Sequence, residues 1–510
     1  MRKASAAKRS GLKGKAVWCG HQEAGMTRKS VAEYVERMYE ANINTIVVHL
    51  KGGGGDLFWP SKLFPEAVAP GYESFDLPAA LLAECRKRGM QMHVWFIDYF
   101  EGANGVAYKK HPDWAALSPK GLPTSEEILR GRKFGAIWMC PARRPGYTDQ
   151  WLVPAIEEFA RMYDVDAMHH DYIRYPGDIA PDTYCFCDYC LEQIPKFNSY
   201  YYETYPNEPF HHHSYDRAHL EAHWEPGPRV LPANWDRLPR EMKSRFLLHG
   251  SFFQGGLYDL DYFFYTYRTY WVTRFAREAA EAVRKVKPKM EMSAAVFKNP
   301  IHSGRFIGQD WRTWAPYVEY CMPMNYRDHI PGDFETYLHL LREVILRQKN
   351  DWARDFKHFW PGFAVNMLFD EEERPLARLQ SLLDGNASAP EIEADFEKIA
   401  PRLKIAARDL HGRIRAWLKK NAQKDFEKER RGIAADFSAF RKNIPPSYWP
   451  KEKLVRTIEC VKATGVEGLV MFCEGHLPHY GLYDVVKEAF SDTLVQNKIC
   501  DHEIILDGKG

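Results

Sequence analysis

The chain has 510 residues, of which 14% are aromatic, including 15 Trp and 28 Tyr, and it carries a formal net charge of +2. That length suits one large domain with insertions or two domains. Lysine and arginine are spread along the chain, so it lacks the basic patch that nucleic acid or an anionic membrane would select.

No run of 18 apolar residues occurs, and the basic start lacks an apolar core. The expectation is a soluble protein without a visible export signal, cytoplasmic by default, with secretion or a periplasmic site left open. The surplus of aromatic residues suits either a Trp-rich core or a carbohydrate groove, because a flat ring stacks on the apolar face of a sugar.

From Lys15 onward short apolar runs alternate with amphipathic stretches, the pattern of a parallel α/β protein. A first strand is predicted at 16–19, followed by a helix that Thr27 opens and that runs to about Glu40. The second strand, 45–50, ends in His49 and Lys51 before Gly52, Gly53, Gly54 and Gly55. No Gly-Lys-Ser/Thr follows these glycines, so a mobile loop over a site is expected rather than a phosphate cradle.

A helix at 74–88 stops at Gly89, and the third strand, 91–97, delivers Trp95, Asp98 and Glu101 to its far end. After a long loop and a helix at 151–162 comes the stretch 165–176, VDAMHHDYIRYP, read as the fourth strand where it emerges at a barrel mouth. Its Asp171 is either placed for chemistry or paired with Arg174 as a structural cap.

The rhythm breaks over 177–259, read as a cysteine-containing insertion, and returns with a helix at 262–286 and a fifth strand at 289–297. A short helix at 310–317 precedes the sixth strand, 320–324, which ends in Asn325, Tyr326 and Asp328. The seventh, 359–365, ends in Asn366. Residues 371–443 read as an inserted helical hairpin, a lid or brace or a docking surface, before a helix at 451–464 and an eighth strand at 467–472 that ends in Glu474 and His476. Eight such units predict a (β/α)8 TIM barrel over 15–490, with tails at 1–14 and 491–510. The active site of such a barrel lies at the C-terminal ends of its strands.

Asn44-Thr45, Phe58-Trp59-Pro60-Ser61, His93-Val94-Trp95, His170 through Pro176, Gln309-Asp310-Trp311 and Met322-Pro323-Met324-Asn325-Tyr326 occur in this order. Together they resemble the glycosyl hydrolase-like family ten of bacterial TIM-barrel proteins. The resemblance spans the barrel from about Lys15 to Glu474 and excludes both insertions. It implies a carbohydrate-active barrel, with members thought to act on bacterial cell-wall or amino-sugar polymers.

Glycoside hydrolysis needs a proton donor and a second group, usually a carboxylate. Asp171 is the candidate for one, and Glu474 or Asp98 for its partner, with Asp328 ranked behind them. Strands five and seven end in Lys298 and Asn366, without the glutamates that many retaining barrel glycosidases place there. Substrate assistance by an N-acetyl group that Asn325 or Tyr326 positions therefore stays open. His49, His170, Arg174 and Trp95 are the other candidates for touching sugar, each with a structural alternative as a rim or core residue. A non-catalytic carbohydrate-binding barrel is the alternative function.

Cys185, Cys187 and Cys190 form C-x-C-x-x-C, a spacing that lets three thiolates converge on one ion, with Cys140 the candidate fourth ligand. The group is similar to the zinc site of family forty-two beta-galactosidases. Four thiolates leave no position for water, so the expected cofactor is structural zinc with no catalytic metal. Buried free thiols and a redox pair remain alternatives, and a zinc-dependent hydrolase would require an open metal site near Asp171. His211, His212, His213, His219 and His223 read as exposed residues of a polar insertion.

Overall fold

The computed structural model describes residues 11–491 except 127, 130–131, 134–135, 177–183, 195–233, 254–258, 386 and 421–425. The insertion histidines His211, His212, His213, His219 and His223 lie outside the described residues, as do most of both predicted tails.

Eight parallel strands close into a barrel: β1 Gly14–Cys19, β2 Thr45–Lys51, β3 Gln91–Ile97, β4 Ala167–Asp171, β5 Glu291–Phe297, β6 Tyr320–Met324, a two-piece β7 and β8 Gly468–Phe472. Closure is made by β8 against β1, with Gly14 opposite Gly468 and Trp18 opposite Phe472. Strand β7 comes as His358–Phe359 and Gly362–Ala364, not the continuous strand expected at 359–365. The break falls at Pro361, which has no N–H to give to the ladder.

Around the barrel run α1 Arg28–Glu40, α2 Leu77–Lys87, α3 Val153–Met162, α4 Asp259–Val286, the short α5 Trp311–Trp314, α6 Phe334–Arg347, α7 Glu452–Ala463 and α8 Tyr483–Ala489. Their starts follow from side-chain chemistry. Thr27 caps α1 by accepting from Ser30 N at 3.0 Å, and Ser30 Oγ accepts from Thr27 N in return. Asp76 and Asp333 cap α2 and α6 in the same way.

Strand alternation sorts the core into two. Ala16, Trp18, Val47, Ala295, Tyr320, Met322, Trp360 and Val470 fill the lumen, while Val17, Cys19, Met92, Val94 and Met168 face the helices. The large Trp360 ring fits only because its neighbours are glycines: a Cβ at Gly468 would sit 2.5 Å from Trp360 Nε1. The indole is boxed in by Tyr320 and His93 and cannot retreat. Gly468→Ala is therefore expected to destabilise the fold by about 1–3 kcal/mol in urea unfolding. Gly412→Ala, on an open helix face, should stabilise it by a few tenths to about 1 kcal/mol. An unchanged midpoint for Gly468→Ala would refute this account of the lumen.

Among the described residues the helical insertion after β7 forms four helices rather than a hairpin: Asp370–Asp384, Ala389–Ala406, Arg408–Leu418 and Phe426–Lys442. The helix end at Gly385 and a capping box between Ser388 and Glu391 divide the first two. Partly buried ion pairs fasten the insertion to the barrel. Lys453 of α7 donates to Glu371 and Glu372 at 2.9 Å each, and Arg327 of the β6 loop pairs with Glu371; within the insertion Arg402 reaches Glu372 at 3.2 Å.

The four-glycine segment after β2 is packed tightly rather than loose. A Cβ on Gly102 would lie 3.0 Å from Gly54 backbone, and one on Gly55, at φ +87°, would strike the Glu101 carboxylate. Glycine is needed here for close approach to a neighbouring loop.

Candidate active site at the barrel mouth

Alternation along β4 sends Ala167, His169 and Asp171 toward the lumen and Met168 and His170 toward the helices. Asp171 is the last residue of the strand and 7% exposed, so its carboxyl just reaches the mouth. The chain turns sharply after it. Tyr172 takes φ 53°, in the left-handed region that a bulky residue seldom occupies, and this folds its N–H back onto Asp171 Oδ1 at 2.7 Å.

Burial pushes the Asp171 carboxyl up to about 6; the charge of Arg174 and the Tyr172 N–H pull the other way, and the nearby Asp98 adds to the rise. The Trp95 indole lies alongside and also favours the ionised form, although its Nε1 closes no hydrogen bond of standard geometry. Arg174 lays its guanidinium on three rings, Tyr172 at 4.2 Å, Phe297 at 4.8 Å and Trp138 at 5.2 Å.

From there aromatic rings continue around the mouth. Phe297 stacks on His329, His329 on Tyr326 and Tyr326 on Phe472, with centroids 5.8, 5.8 and 5.6 Å apart. Trp95 meets Phe472 at 6.4 Å and His49 at 4.8 Å, and His49 adjoins Phe58, on which His21 is stacked at 3.4 Å. Burial drives His49 down to about 3 and His21 to about 4, so both rings are neutral near pH 7. This is a mouth of flat rings with the Asp171 carboxyl at its base.

The floor is sealed by a polar chain within the lumen. Trp18 Nε1 donates to His169 Nε2 at 2.9 Å, His169 Nδ1 meets Ser293 Oγ at 2.9 Å, and Ser293 Oγ meets His93 Nδ1 at 3.3 Å. Both histidines are held neutral by burial, so this chain stabilises the floor and carries no charge.

Several residues expected at the mouth lie elsewhere. His170 shares its Nδ1 with both Asp98 oxygens at 3.0 and 3.2 Å, and its ring meets Phe275 of α4 at 5.6 Å, behind the barrel wall. Burial raises the Asp98 carboxyl, and the imidazole opposes that rise. Asp98 N donates to Asp171 O at 2.8 Å, so the pair braces the Asp171 backbone from behind.

Glu474 accepts from the Tyr483 hydroxyl of α8 and sits beside Tyr34 of α1 and Cys19 of β1, again in the helix layer. Asn325 exchanges hydrogen bonds with Gln348 at 3.1 and 2.8 Å, which turns its amide away from the lumen. The structure thus gathers Asp171, Arg174, Trp95, His49 and Tyr326 at the mouth and keeps Glu474, Asp98, His170 and Asn325 out of it. His329, which is not among the residues expected at the mouth, joins it, as does Lys298, expected only as the end of strand five. The polar run after β6, Asn325 to His329, was the available signal for the first.

The four cysteines also converge. Sγ atoms of Cys140, Cys185, Cys187 and Cys190 all lie within 4.8 Å of one another, with Cys140 at 3.5 Å from Cys190 and 3.8 Å from Cys187. Tetrahedral thiolates around zinc stand about 3.8 Å apart, given bonds of about 2.3 Å. Cys185 Sγ accepts from Leu117 N and Cys187 N, both at 3.4 Å, the kind of N–H···S contact that stabilises thiolate. All four are buried, and the donor set suits a closed metal site.

A closed parallel barrel with a buried carboxyl of raised pKa in a ring-lined mouth at the C-terminal strand ends has the layout of a barrel enzyme. Residues 14–343 match the model of the family Glycosyl hydrolase-like 10, and the chain belongs to that family.

Among curated relatives, the glycosyl hydrolase YngK of Bacillus subtilis (strain 168) is 26% identical over 170 residues, which is 30% of this chain and 29% of YngK. Glycosyl hydrolase DigH of Escherichia coli (strain K12) is 24% identical over 196 residues, 32% of this chain and 39% of DigH. The chain therefore spans well under half the length of these relatives. The glycoside hydrolase domain of PgaB (BpsB) from Bordetella bronchiseptica superposes with a TM-score of 0.54 over 94% of this chain and 99% of that one. Its 9% sequence identity makes that likeness one of fold alone.

Proposed function

We propose that this protein hydrolyses O-glycosidic bonds of an oligo- or polysaccharide, an amino-sugar-containing polymer being the preferred class, with Asp171 as general acid. The observation that carries this reading is the Asp171 carboxyl itself: buried at the end of β4, raised to about 6 and ringed by aromatic side chains. A carboxyl in that range still holds a proton in mildly acidic to neutral solution and can pass it to a leaving oxygen. The flat rings of Trp95, Tyr326 and His329 supply stacking faces for sugar, and Arg174 sets the acid's ionisation from one side. Family membership and the names of the matched hydrolases support the same reaction class.

The metal assigned to the four cysteines is structural zinc, which would fasten the start of the insertion and leave no open coordination position for substrate. A second reading, a binding barrel without turnover, is favoured by the sequestration of Glu474 and Asp98.

Incubation with acetylated and de-acetylated glucosamine oligomers, peptidoglycan fragments and neutral β-glucans, with reducing ends counted, separates the two. Release of reducing ends from an amino-sugar member is the expected result. Oligosaccharide binding without release from any member would establish the binding barrel instead.

A further inference from the structure

With Glu474 and Asp98 turned into the helix layer, the mouth needs another group to handle the attacking water, and the loop after β6 supplies a carboxylate. Asp328 lies in the turn Arg327–His329 directly after β6, at the C-terminal end of the barrel, its side chain 49% exposed. The turn is fixed from both sides. Arg327 points outward into the ion pair with Glu371, while His329 is held between the rings of Phe297 and Tyr326. His329 Nε2 stands 3.7 Å from Asp328 Oδ1, and the charge of Asp328 partly offsets the burial of Lys298 at the end of β5.

Tyr326 links this carboxylate to the first. Burial discourages ionisation of its phenol, and the charges of Asp171 and, more weakly, Asp328 add to that. The Asp171 side, with Arg174 on Phe297, and the Asp328 side, with His329 on Phe297, thus share one aromatic wall. One acid is buried and the other is wet. That division of environments is what separates a proton donor from a water-activating base.

We propose that Asp328 is the second catalytic carboxylate, acting as general base on water, with Lys298 and His329 as positioning residues. This rests on the glycosidase reading above. In the step, Asp171 gives its proton to the glycosidic oxygen as the bond from that oxygen to the anomeric carbon breaks, the electron pair staying on oxygen. Water attacks the anomeric carbon from the opposite face and loses its proton to Asp328. Asp171 ends ionised and Asp328 protonated, one water is consumed, and solvent exchange resets both groups. The product is released with inverted anomeric configuration.

The test uses Asp328→Ala and Asp171→Asn on whichever oligomer of the panel the native protein cleaves, and on a dinitrophenyl glycoside of the same sugar. Asp328→Ala is expected to lose about 10²–10⁴-fold in kcat on both substrates, with an unchanged melting temperature. Sodium azide, a nucleophile that needs no deprotonation, should restore turnover of the dinitrophenyl glycoside and give a glycosyl azide. Asp171→Asn should recover on the dinitrophenyl glycoside without azide, because that leaving group needs no proton. Proton NMR of the native reaction should show inversion.

Native-like kcat in Asp328→Ala alongside an inactive Asp171→Asn would overturn the base assignment and leave the glycosidase reading standing. So would a loss confined to KM, a loss that azide does not rescue, or retention of configuration. No cleavage of any panel member by the native protein would overturn both.

Discussion

Replacing Asp171 with Asn should lower kcat by about 10²–10⁴-fold while making the folded protein more stable above pH 6. The first effect follows from removing the proton that the leaving oxygen needs. The second follows from linkage. Asp171 is raised from 3.8 to about 6, so between those values the folded state holds a proton that the unfolded state has released.

Stability therefore falls as pH rises from about 4 to about 6, and above that the native protein bears the full cost of a buried anion, about 3 kcal/mol at most. Asn keeps the acceptor for the Tyr172 N–H and carries no charge, so the cost disappears. Activity of the native enzyme should decline as pH rises through about 6, the limb on which Asp171 loses its proton, and the residual activity of the variant should lack that limb. Denaturant midpoints at pH 5 and pH 8, together with a pH–rate profile, check both halves. A variant with native turnover, or one destabilised at pH 8, would remove Asp171 from the centre of the site.

The barrel was legible because buried parallel strands read as short apolar runs and their helices keep a 3.6-residue period, and only β7 departed, at Pro361. The site was legible to the extent that it follows strand parity. His169 and Asp171 facing inward requires that His170 face outward, so the His170–Asp98 pair behind the wall was implicit in the same stretch that marked Asp171.

Glu474 and Asn325 were harder, because each lies beyond the last paired residue of its strand, where the chain curls and alternation no longer fixes direction. Which way they turn is decided by Tyr483 and Gln348, partners 9 and 23 residues away in sequence. The same limit hid His329, whose place between Phe297 and Tyr326 depends on a turn pinned from outside by Arg327 and Glu371. The cysteine spacing needed no such help: three ligands on one short turn already constrain where a fourth must arrive, and Cys140 arrives there.

Removing the zinc proposed for the four cysteines should therefore cost both stability and activity, by a route that does not involve metal chemistry. The cysteine node joins four separate pieces of chain: Leu117 in the β3–β4 connection, Cys140 behind the short strand Ala136–Trp138, the Cys185–Cys190 turn and Tyr267 of α4, whose hydroxyl reaches Cys190 Sγ at 3.7 Å. Tyr175 lies against the same thiols, four residues beyond Asp171 and next to Arg174, and its N–H is tied to Ile307 O at 2.9 Å. Trp138, on which Arg174 rests, is two residues before Cys140.

Without the ion, four buried thiols would have only one another, and the segment that carries Arg174 and the Trp138 ring would lose its anchor. Cys187→Ser, or exhaustive chelation, is expected to destabilise the protein by on the order of 4 kcal/mol. It should also lower kcat about tenfold or more, as Arg174 drifts from its place beside Asp171. Elemental analysis should find one zinc per native chain and little in the variant. Re-addition of zinc to the chelated protein should restore melting temperature and turnover together. Full stability and turnover in a protein shown to be metal-free would reduce the cluster to buried thiols. Restored stability with no return of turnover would break the proposed link between the cysteine node and the catalytic mouth.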